Sequence, residues 1–195
     1  MVKVLGVVGS PRKGGNTELL VNEVLKAAAL KGAKTETISL CDYKLAPCNG
    51  CRTCFETKNC AITDDVEKLF RKVADADALV LGSPVYFGGV TAQVKGFIDR
   101  IGYLNMARER KPLLNRVGAS AVVGRRTGML NASLEILTFL TASRMIVPSG
   151  GRLVAVGREK GDVLKDNEGM ESARDLGARI VELAEATSGF RKKSP

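Results

Sequence analysis

Four cysteines that lie close together offer the most specific chemistry in the chain. Cys48, Cys51, Cys54 and Cys60 follow the spacing C-x2-C-x2-C-x5-C, and Gly50 eases the tight winding that lets three thiolates converge. The run C-x2-C-x2-C is the recurrent way to supply three of the four thiolates of a [4Fe–4S] cluster. We therefore favour such a cluster as the group that these cysteines bind. Zinc is the first alternative, although structural zinc sites usually separate two C-x2-C pairs by a longer stretch. Thiol or disulfide chemistry is the second alternative.

A glycine-containing segment, G-S-P-R-K-G-G-N-T over residues 9–17, follows an apolar run and opens a helical pattern. Its small residues let the backbone approach an anion. The hydroxyls of Ser10 and Thr17 and the N–H groups of a helix N-terminus can donate hydrogen bonds, while Arg12 adds a positive charge. A dianionic phosphate is the natural ligand, because neither a Walker A loop nor a dinucleotide-binding G-x-G-x-x-G fits the spacing. The alternative is an ordinary turn between a strand and a helix.

Two further loops have the composition of a ligand site. After the third predicted strand comes S-P-V-Y-F-G-G, whose backbone amides can bind the edge of a planar ring while Tyr86 or Phe87 packs on it. The alternative is that these aromatic residues simply belong to the core. After the fourth predicted strand comes G-R-R-T-G-M, in which Arg125 and Arg126 can stabilise an anionic, reduced ring.

The composition excludes several classes of enzyme. The chain has 195 residues and no histidine, so it cannot form a Ser-His-Asp triad, a Cys-His dyad, an HExxH zinc site or a histidine-ligated haem. We assign no catalytic acid or base, because no constellation of carboxylates stands out either. The remaining chemistry must come from cysteine, from a bound cofactor, or from carboxylates and basic side chains.

The charge and the cysteine content indicate the partners and the compartment. The formal net charge is +9, and no basic run is interleaved with the aromatic residues on which nucleic-acid bases stack, so we predict no nucleic-acid partner. We predict no membrane partner, since no stretch approaches roughly 18 apolar residues, and the N-terminus lacks a signal-peptide pattern. Five cysteines in a cytoplasmic chain suggest metal or redox chemistry, and we expect Cys41 to be a small buried residue at a strand end. The basic residues that can steer an acidic partner are concentrated at Arg108, Arg110, Lys111, Arg116, Arg125 and Arg126.

The elements that must position these residues alternate between strand and helix. The patterns predict strands at 2–8, 34–40, 78–82 and 117–123, a broken fifth strand at 145–147 and 153–156, and helices at 16–31, 64–74, 91–101, 131–142 and 168–186. We predict a flavodoxin-like, doubly wound, five-stranded parallel sheet with helices on both faces, spanning residues 1–187. Ligands of such sheets lie beyond the carboxyl ends of the strands, where the three loops above would meet. A cysteine-rich insert (41–62), a second insert (102–116) and a basic tail (188–195) complete the prediction.

The patterns G-S-P-R-x-x-G-N-T, with one extra glycine before the asparagine here, and S-P-V-Y-F-G resemble those of the flavodoxin-like FMN reductases. This resemblance covers nearly the whole chain and implies FMN as the cofactor. It implies that Ser10, Arg12, Asn16 and Thr17 hold the phosphate. It also implies that the isoalloxazine lies against Pro84, Val85, Tyr86, Phe87 and Gly88, with Gly124, Arg125, Arg126 and Gly128 on its far side.

The cysteine motif is, in addition, similar to that of the iron–sulfur flavoproteins of anaerobes and archaea. The resemblance implies that Cys48, Cys51, Cys54 and Cys60 bind a [4Fe–4S] cluster. It implies a homodimer or homotetramer, in which the cluster approaches a flavin across a subunit interface. It also implies ferredoxin, or a similar acidic protein, as the electron donor and a small molecule as the acceptor.

Three functions follow from these observations. The first is electron transfer between a [4Fe–4S] cluster, which exchanges single electrons, and FMN, which takes up two. The second is an NAD(P)H-dependent FMN or quinone reductase whose cysteines hold zinc or no metal. The third is a non-enzymatic module that binds a nucleotide or senses redox state through its cysteines.

Overall fold

Apolar strands alternate with helices throughout residues 1–192, the part of the chain that this computed structural model describes. The strands are β1 (Lys3–Val8), β2 (Lys34–Ser39), β3 (Ala78–Pro84), β4 (Val117–Gly124) and β5 (Arg152–Val156). The helices are α1 (Asn16–Leu30), α2 (Thr53–Thr57), α3 (Val66–Asp75), α4 (Ala92–Ala107), α5 (Met129–Ala142), α6 (Asn167–Ala186) and α7 (Ser188–Lys192). The end of the predicted basic tail, 193–195, lies outside the described residues.

The strands form one parallel sheet in the order β2-β1-β3-β4-β5. The three central strands are buried almost throughout, as the continuous apolar runs of a sheet covered on both faces require. Helices α1 and α6 pack on one face of the sheet, and α3, α4 and α5 pack on the other. The predicted doubly wound, flavodoxin-like fold is confirmed.

Helix α4 is longer than the sequence pattern predicts. We expected it to end before Gly102, but it continues to Ala107. Leu104 and Ala107 lie in this last part of the helix and are buried, so their packing outweighs the cost of about 1 kcal/mol that a glycine adds within a helix. The first part of the predicted second insert, residues 102–107, is therefore helix.

The predicted broken fifth strand is only half present as a strand. Its second part is β5, which pairs with β4 over Arg152–Val156. Its first part contributes a single parallel bridge between Ile146 and Val117. None of the described helices is both long enough and apolar enough to cross a membrane.

Close contact between α1 and α6 depends on Gly177. A Cβ atom at this position would stand 2.3 Å from the Val24 carbonyl oxygen and 2.7 Å from the Ala27 Cβ, so one of the two backbones would have to move. Gly96, within α4, has no heavy atom within 4 Å of the corresponding position. The same substitution should therefore have opposite effects at the two glycines.

We expect Gly177→Ala to lower the free energy of unfolding by roughly 2 kcal/mol, because the added methyl group overpacks the interface. The matched control, Gly96→Ala, should be neutral or stabilising by up to about 1 kcal/mol, because alanine favours the helix. Chemical denaturation of the two variants and of the wild type measures both values. Equal stability of the two variants would contradict this account of the interface.

Candidate functional site

The carboxyl ends of the central strands lie side by side, and the loops that follow them line one cleft. The parallel register aligns Val8 with Gly82 and Pro84 with Val123, so the three loops leave the sheet at the same edge. The cleft has a volume of about 180 Å³. It is lined by Ser10, Arg12, Gly15, Asn16, Thr17, Pro84, Val85, Tyr86, Val123, Gly124, Arg125, Gly157, Arg158 and Lys160.

Thr91, at the start of α4, ties the first two loops together. Its buried hydroxyl donates a hydrogen bond of 2.7 Å to the Gly9 carbonyl and accepts one of 3.3 Å from the Val94 N–H, which caps the helix. Its own N–H donates to the Ser83 hydroxyl oxygen at 3.2 Å. These buried bonds fix the distance between the loop after β1 and the loop after β3. Sequence reasoning assigned Thr91 only to a helix start.

The loop after β1 leaves the start of α1 open to a ligand. Helix α4 is capped by Thr91 and α6 by Asp166, whereas α1 receives no side-chain cap from the described residues. Its first N–H groups, together with Arg12, therefore lie at a cleft that an anion can enter. The Ser10 hydroxyl accepts a hydrogen bond of 3.2 Å from the Arg12 N–H and so shapes the loop.

The side chain of Asn16 has a structural task that the sequence did not reveal. Its Nδ2 donates to the Glu159 carbonyl at 2.8 Å, and its Oδ1 accepts from the Gly161 N–H at 2.8 Å. The amide thus holds the segment after β5 against the loop after β1. Both ends of the amide are engaged with the chain, and the expected role of Asn16 in holding a phosphate stays a prediction.

The aromatic loop after β3 turns sharply at Phe87 and Gly88. The N–H groups of Tyr86 and Gly89 each donate to the carbonyl of the other, at 3.0 and 3.1 Å, and both central residues have positive φ, 45° and 84°. Such a turn points Phe87 outward, and its side chain is fully exposed. Tyr86 lines the cleft, but Phe87 and Gly88 do not. The expectation that Phe87 packs on the ring of a ligand stays a prediction.

The loop after β4 contributes one of its two arginines to the cleft. Gly124 and Arg125 line the cleft, whereas Arg126 is exposed outside it. Gly128 has a φ of 82°, and a Cβ there would stand 2.9 Å from the Cα of Gly88. Gly128 and Gly88 therefore let the two loops approach each other and do not line the cleft themselves.

The segment after β5 supplies cleft residues that sequence reasoning missed. The cleft is lined there by Gly157, Arg158 and Lys160. The Lys160 ammonium lies close to Gly14 in the loop after β1, since a Cβ atom added to Gly14 would stand 3.2 Å from the Lys160 Nζ. The sequence does contain a pattern that could have identified these residues. The segment G-R-E-K-G places glycines and cations directly after a strand, as G-R-R-T-G does after the fourth strand. Positively charged groups from three loops therefore surround the open start of α1.

The four cysteines of the insert line a second cavity. Besides Cys48, Cys51, Cys54 and Cys60, this cavity is lined by Asn49, Gly50, Arg52, Ala61, Ile62, Arg100, Tyr103 and Leu104. The short helix α2 carries Cys54, and the ring of its Phe55 meets Tyr103 edge-on at 6.2 Å. No three cysteine or acidic side chains of the described residues are grouped closely enough to hold one metal ion. All five cysteines of the chain are free thiols.

Arg100, on α4, is buried beside the cysteines and holds the loop that carries them. Its guanidinium forms two hydrogen bonds to the Asp64 carboxylate, at 2.9 and 3.0 Å, and donates to the Ala46 carbonyl at 2.7 Å. It also donates to the Cys60 Sγ at 3.1 Å. Its Nε–H is buried and has no hydrogen-bond partner among the described residues.

The surroundings shift the pKa values of several groups in this loop. A hydrogen bond with the Thr53 side chain lowers the pKa of the Cys51 thiol. Burial raises the pKa of the Cys54 thiol, and the neighbouring Cys60 adds to the shift. Burial alone would raise the pKa of Asp64, but the hydrogen bonds from Arg100 and from the N–H groups of Ala46 and Val66 outweigh it and keep that pKa low.

Cys41 lies apart from the other cysteines, close to the first cleft. We expected a buried residue, but Cys41 is exposed, and its thiol donates a hydrogen bond of 3.5 Å to the Ser10 carbonyl. The expectation was wrong because β2 is an edge strand, so the segment that follows it has neighbours on one side only.

Several residues of the predicted basic cluster are paired. Arg108 forms an ion pair with Glu67, Arg116 with Asp77 and Lys111 with Glu109. Arg125 and Arg126 are both exposed, and Arg125 lines the first cleft. Among the residues of this predicted cluster, Arg125 is the one that lines the cleft.

Comparison with known proteins agrees with the fold and the motifs. Residues 2–159 match the model of the NADPH-dependent FMN reductase family. The chain also resembles the structure of RosB with bound 8-demethyl-8-formylriboflavin-5'-phosphate, with a TM-score of 0.78 and 18% identity over 98% of this chain and 82% of RosB. At that level of identity the likeness concerns the fold alone.

Two curated relatives from archaea carry the comparison further. An iron–sulfur flavoprotein of Methanocaldococcus jannaschii is 43% identical over 190 residues, which are 93% of this chain and 97% of that protein. An iron–sulfur flavoprotein of Methanosarcina thermophila is 30% identical over 194 residues, which are 98% of this chain and 100% of that protein. The chain therefore belongs to the NADPH-dependent FMN reductase family of FMN-dependent oxidoreductases and, within it, to the iron–sulfur flavoproteins.

Proposed function

We propose that this oxidoreductase transfers electrons between a [4Fe–4S] cluster at Cys48, Cys51, Cys54 and Cys60 and FMN in the cleft at the sheet edge. The observation that carries the proposal is that all four cysteines line one cavity, distinct from that cleft. Ferredoxin, or a similar acidic protein, is the proposed donor, and a small molecule is the proposed acceptor. The reducing cytoplasm, where thiols stay free, is the proposed location.

The cleft fits the phosphate and the ring of FMN. The open start of α1 offers backbone N–H groups, and Arg12, Arg158 and Lys160 add positive charge around it, which together suit a dianion. The Tyr86 ring is 44% exposed, so part of its apolar surface is free to cover a planar ligand. Arg125 would stand beside that ligand and favour a negatively charged form of it.

The second cavity fits a cluster by the chemistry of its donors. It offers four thiols and no carboxylate, and thiolates are the ligands that iron–sulfur clusters prefer. In a cubane each thiolate binds a different iron atom, so the four sulfur atoms need not be grouped around one ion. Arg100 lines the same cavity with an unpaired, buried Nε–H, and an anionic group there would give this donor an acceptor.

Bound together, the two cofactors supply single-electron and two-electron chemistry, and the protein positions them and tunes their potentials. The residues of the chain bind, orient and shield these groups. No histidine is present to move a proton. We accordingly assign no side chain as a catalytic acid or base.

A homodimer or homotetramer is part of the proposal. A groove of about 540 Å³ runs between α4 and α5, and the large apolar side chains of Tyr103, Met106 and Leu134 are each at least 40% exposed along it. Tyr103 lines both the groove and the cysteine cavity. Glu135, which also lines the groove, accepts a hydrogen bond from the Val90 N–H beside the aromatic loop. Self-association across this groove would bury an apolar surface that connects the two sites.

The phosphate assignment is tested by comparing FMN with riboflavin, which lacks the phosphate. We expect Arg12→Gln to weaken FMN binding about tenfold, as loss of one charge-assisted hydrogen bond of roughly 1.5 kcal/mol would, and to leave riboflavin binding unchanged. Arg71→Gln, which removes an exposed arginine on α3, is the matched control. Fluorescence titration measures both affinities. An equal loss for the two flavins would argue against a phosphate contact.

The cluster assignment is tested with two cysteine variants of the protein purified without oxygen. Cys51→Ala should lose iron and sulfide, keep FMN, and no longer pass electrons from reduced ferredoxin to the flavin. Cys41→Ala, outside the motif, should keep about four irons per chain. Metal analysis and stopped-flow reduction measure these outcomes.

The family model makes NADPH the second donor to test. Wild-type protein free of iron that is reduced efficiently by NADPH would overturn the proposed function and favour the NADPH-dependent reductase. Wild-type protein with neither iron nor flavin would favour the non-enzymatic alternative.

The oligomer is tested by charging the groove. Leu134→Glu should shift the protein from an oligomer to the monomer, because the carboxylate would lose water on association. Leu30→Glu, at an exposed residue of α1 on the opposite face of the sheet, is the control and should leave the mass unchanged. Light scattering measures both masses. A monomeric wild type would refute the proposed assembly.

A further inference from the structure

Arg100 makes contacts that the binding of a cluster by four cysteines does not by itself require. Its side chain is 1% exposed, and it is among the largest fully buried side chains of the described residues. Replacing a buried ion pair by apolar residues is often neutral or stabilising, so burial of the pair with Asp64 is not explained by stability alone. The pair stands beside a thiol of the cysteine motif, Cys60.

The contacts of Arg100 join the two ends of the cysteine loop. Ala46, whose carbonyl accepts from Nη1, lies before the first cysteine, while Cys60 and Asp64 lie at the end of the loop. Asp64 strengthens the closure, because its carboxylate accepts hydrogen bonds from the Ala46 N–H at 2.9 Å and the Val66 N–H at 3.0 Å. One buried arginine and one buried aspartate thus close the loop at its base.

The same guanidinium holds a positive charge 3.1 Å from the Cys60 sulfur. A hydrogen bond to a ligand sulfur withdraws negative charge from it and so favours the reduced state of an iron–sulfur cluster. Arginine suits this position better than lysine, because it keeps its charge when buried and its fork can contact a carboxylate and a sulfur together. The Asp64 carboxylate, which accepts from both Nη1 and Nη2, moderates the charge.

We propose that Arg100 and Asp64 are a positioning pair for the cluster: they close the cysteine loop, and they set the cluster potential through the hydrogen bond to Cys60. This inference rests on the proposed function. It adds a specific assignment, namely that the charge of Arg100 raises the reduction potential and that the charge of Asp64 lowers it.

Two variants separate the potential from the fold. Asp64→Asn removes the negative charge and keeps the arginine, so the midpoint potential of the cluster should become more positive. The double variant Asp64→Asn with Arg100→Gln removes both charges and the charged donor to Cys60, so the potential should fall below that of the wild type. A purely structural pair would not shift the potential in opposite directions. Redox titration followed by electron paramagnetic resonance of the reduced cluster measures both shifts.

The matched control removes another arginine–aspartate pair, which lies at the amino ends of two central strands. Arg116 and Asp77 lie just before β4 and β3 and are joined at 3.2 Å. Arg116→Gln with Asp77→Asn should leave the iron content and the cluster potential unchanged. Arg100→Lys keeps the charge and loses the planar guanidinium. It should lower the midpoint potential of the cluster less than the double variant at Arg100 and Asp64 does.

The outcomes distinguish this inference from the proposed function. Wild-type protein without a cluster overturns both. If the wild type and the variants all hold about four irons per chain and their clusters have the same midpoint potential, only the inference is overturned. If the double variant at Arg100 and Asp64 loses iron and keeps FMN while the control keeps both, the closure of the loop is supported, and Asp64→Asn alone then decides the effect on the potential.

Discussion

The backbone ladder of the parallel sheet extends past the ends of the strands, and the candidate FMN cleft depends on this extension. Three backbone hydrogen bonds to carbonyl oxygens make this extension: Gly9 N–H to Gly82 at 2.8 Å, Val85 N–H to Val123 at 2.9 Å, and Gly157 N–H to Gly124 at 3.1 Å. The loops after β1, β3 and β5 therefore each begin with a bond to the neighbouring strand. Loops that begin in register can hold side chains from distant parts of the sequence around one small volume, as doubly wound sheets do at their carboxyl edge.

The cysteine loop is held by different forces. It follows an edge strand, so the sheet can support it on one side only, and side chains of α4 hold it in place. The guanidinium of Arg100 joins both ends of the loop, and the ring of Phe55 rests against Tyr103. The two cavities share no lining residue among those described, so each is built by a separate set of residues.

The sequence predicted the fold well because the central strands are continuous apolar runs separated by amphipathic helices. Its predictions of helix ends and of burial were less accurate where packing in the folded chain outweighs the local conformational preference of the residues. Helix α4 passes through Gly102 because residues beyond it are buried, and Cys41 is exposed because it follows an edge strand. The contact of the Asn16 amide with a segment more than a hundred residues further along the chain could not be predicted from local pattern. The outward direction of Phe87 follows from the turn geometry and not from its residue type.

By itself the sequence determined the class of fold, the family, the spacing of the four thiols and the glycine-containing loops after the strands, because these are properties of neighbouring residues. Only the tertiary structure decided which cations surround the cleft and which arginine stands beside the cysteines. Arg158 and Lys160 reach the cleft because β5 pairs with β4, and Arg100 meets Cys60 because α4 packs beneath the insert. Such contacts join segments far apart in the chain, and their geometry is set by packing that no local pattern encodes.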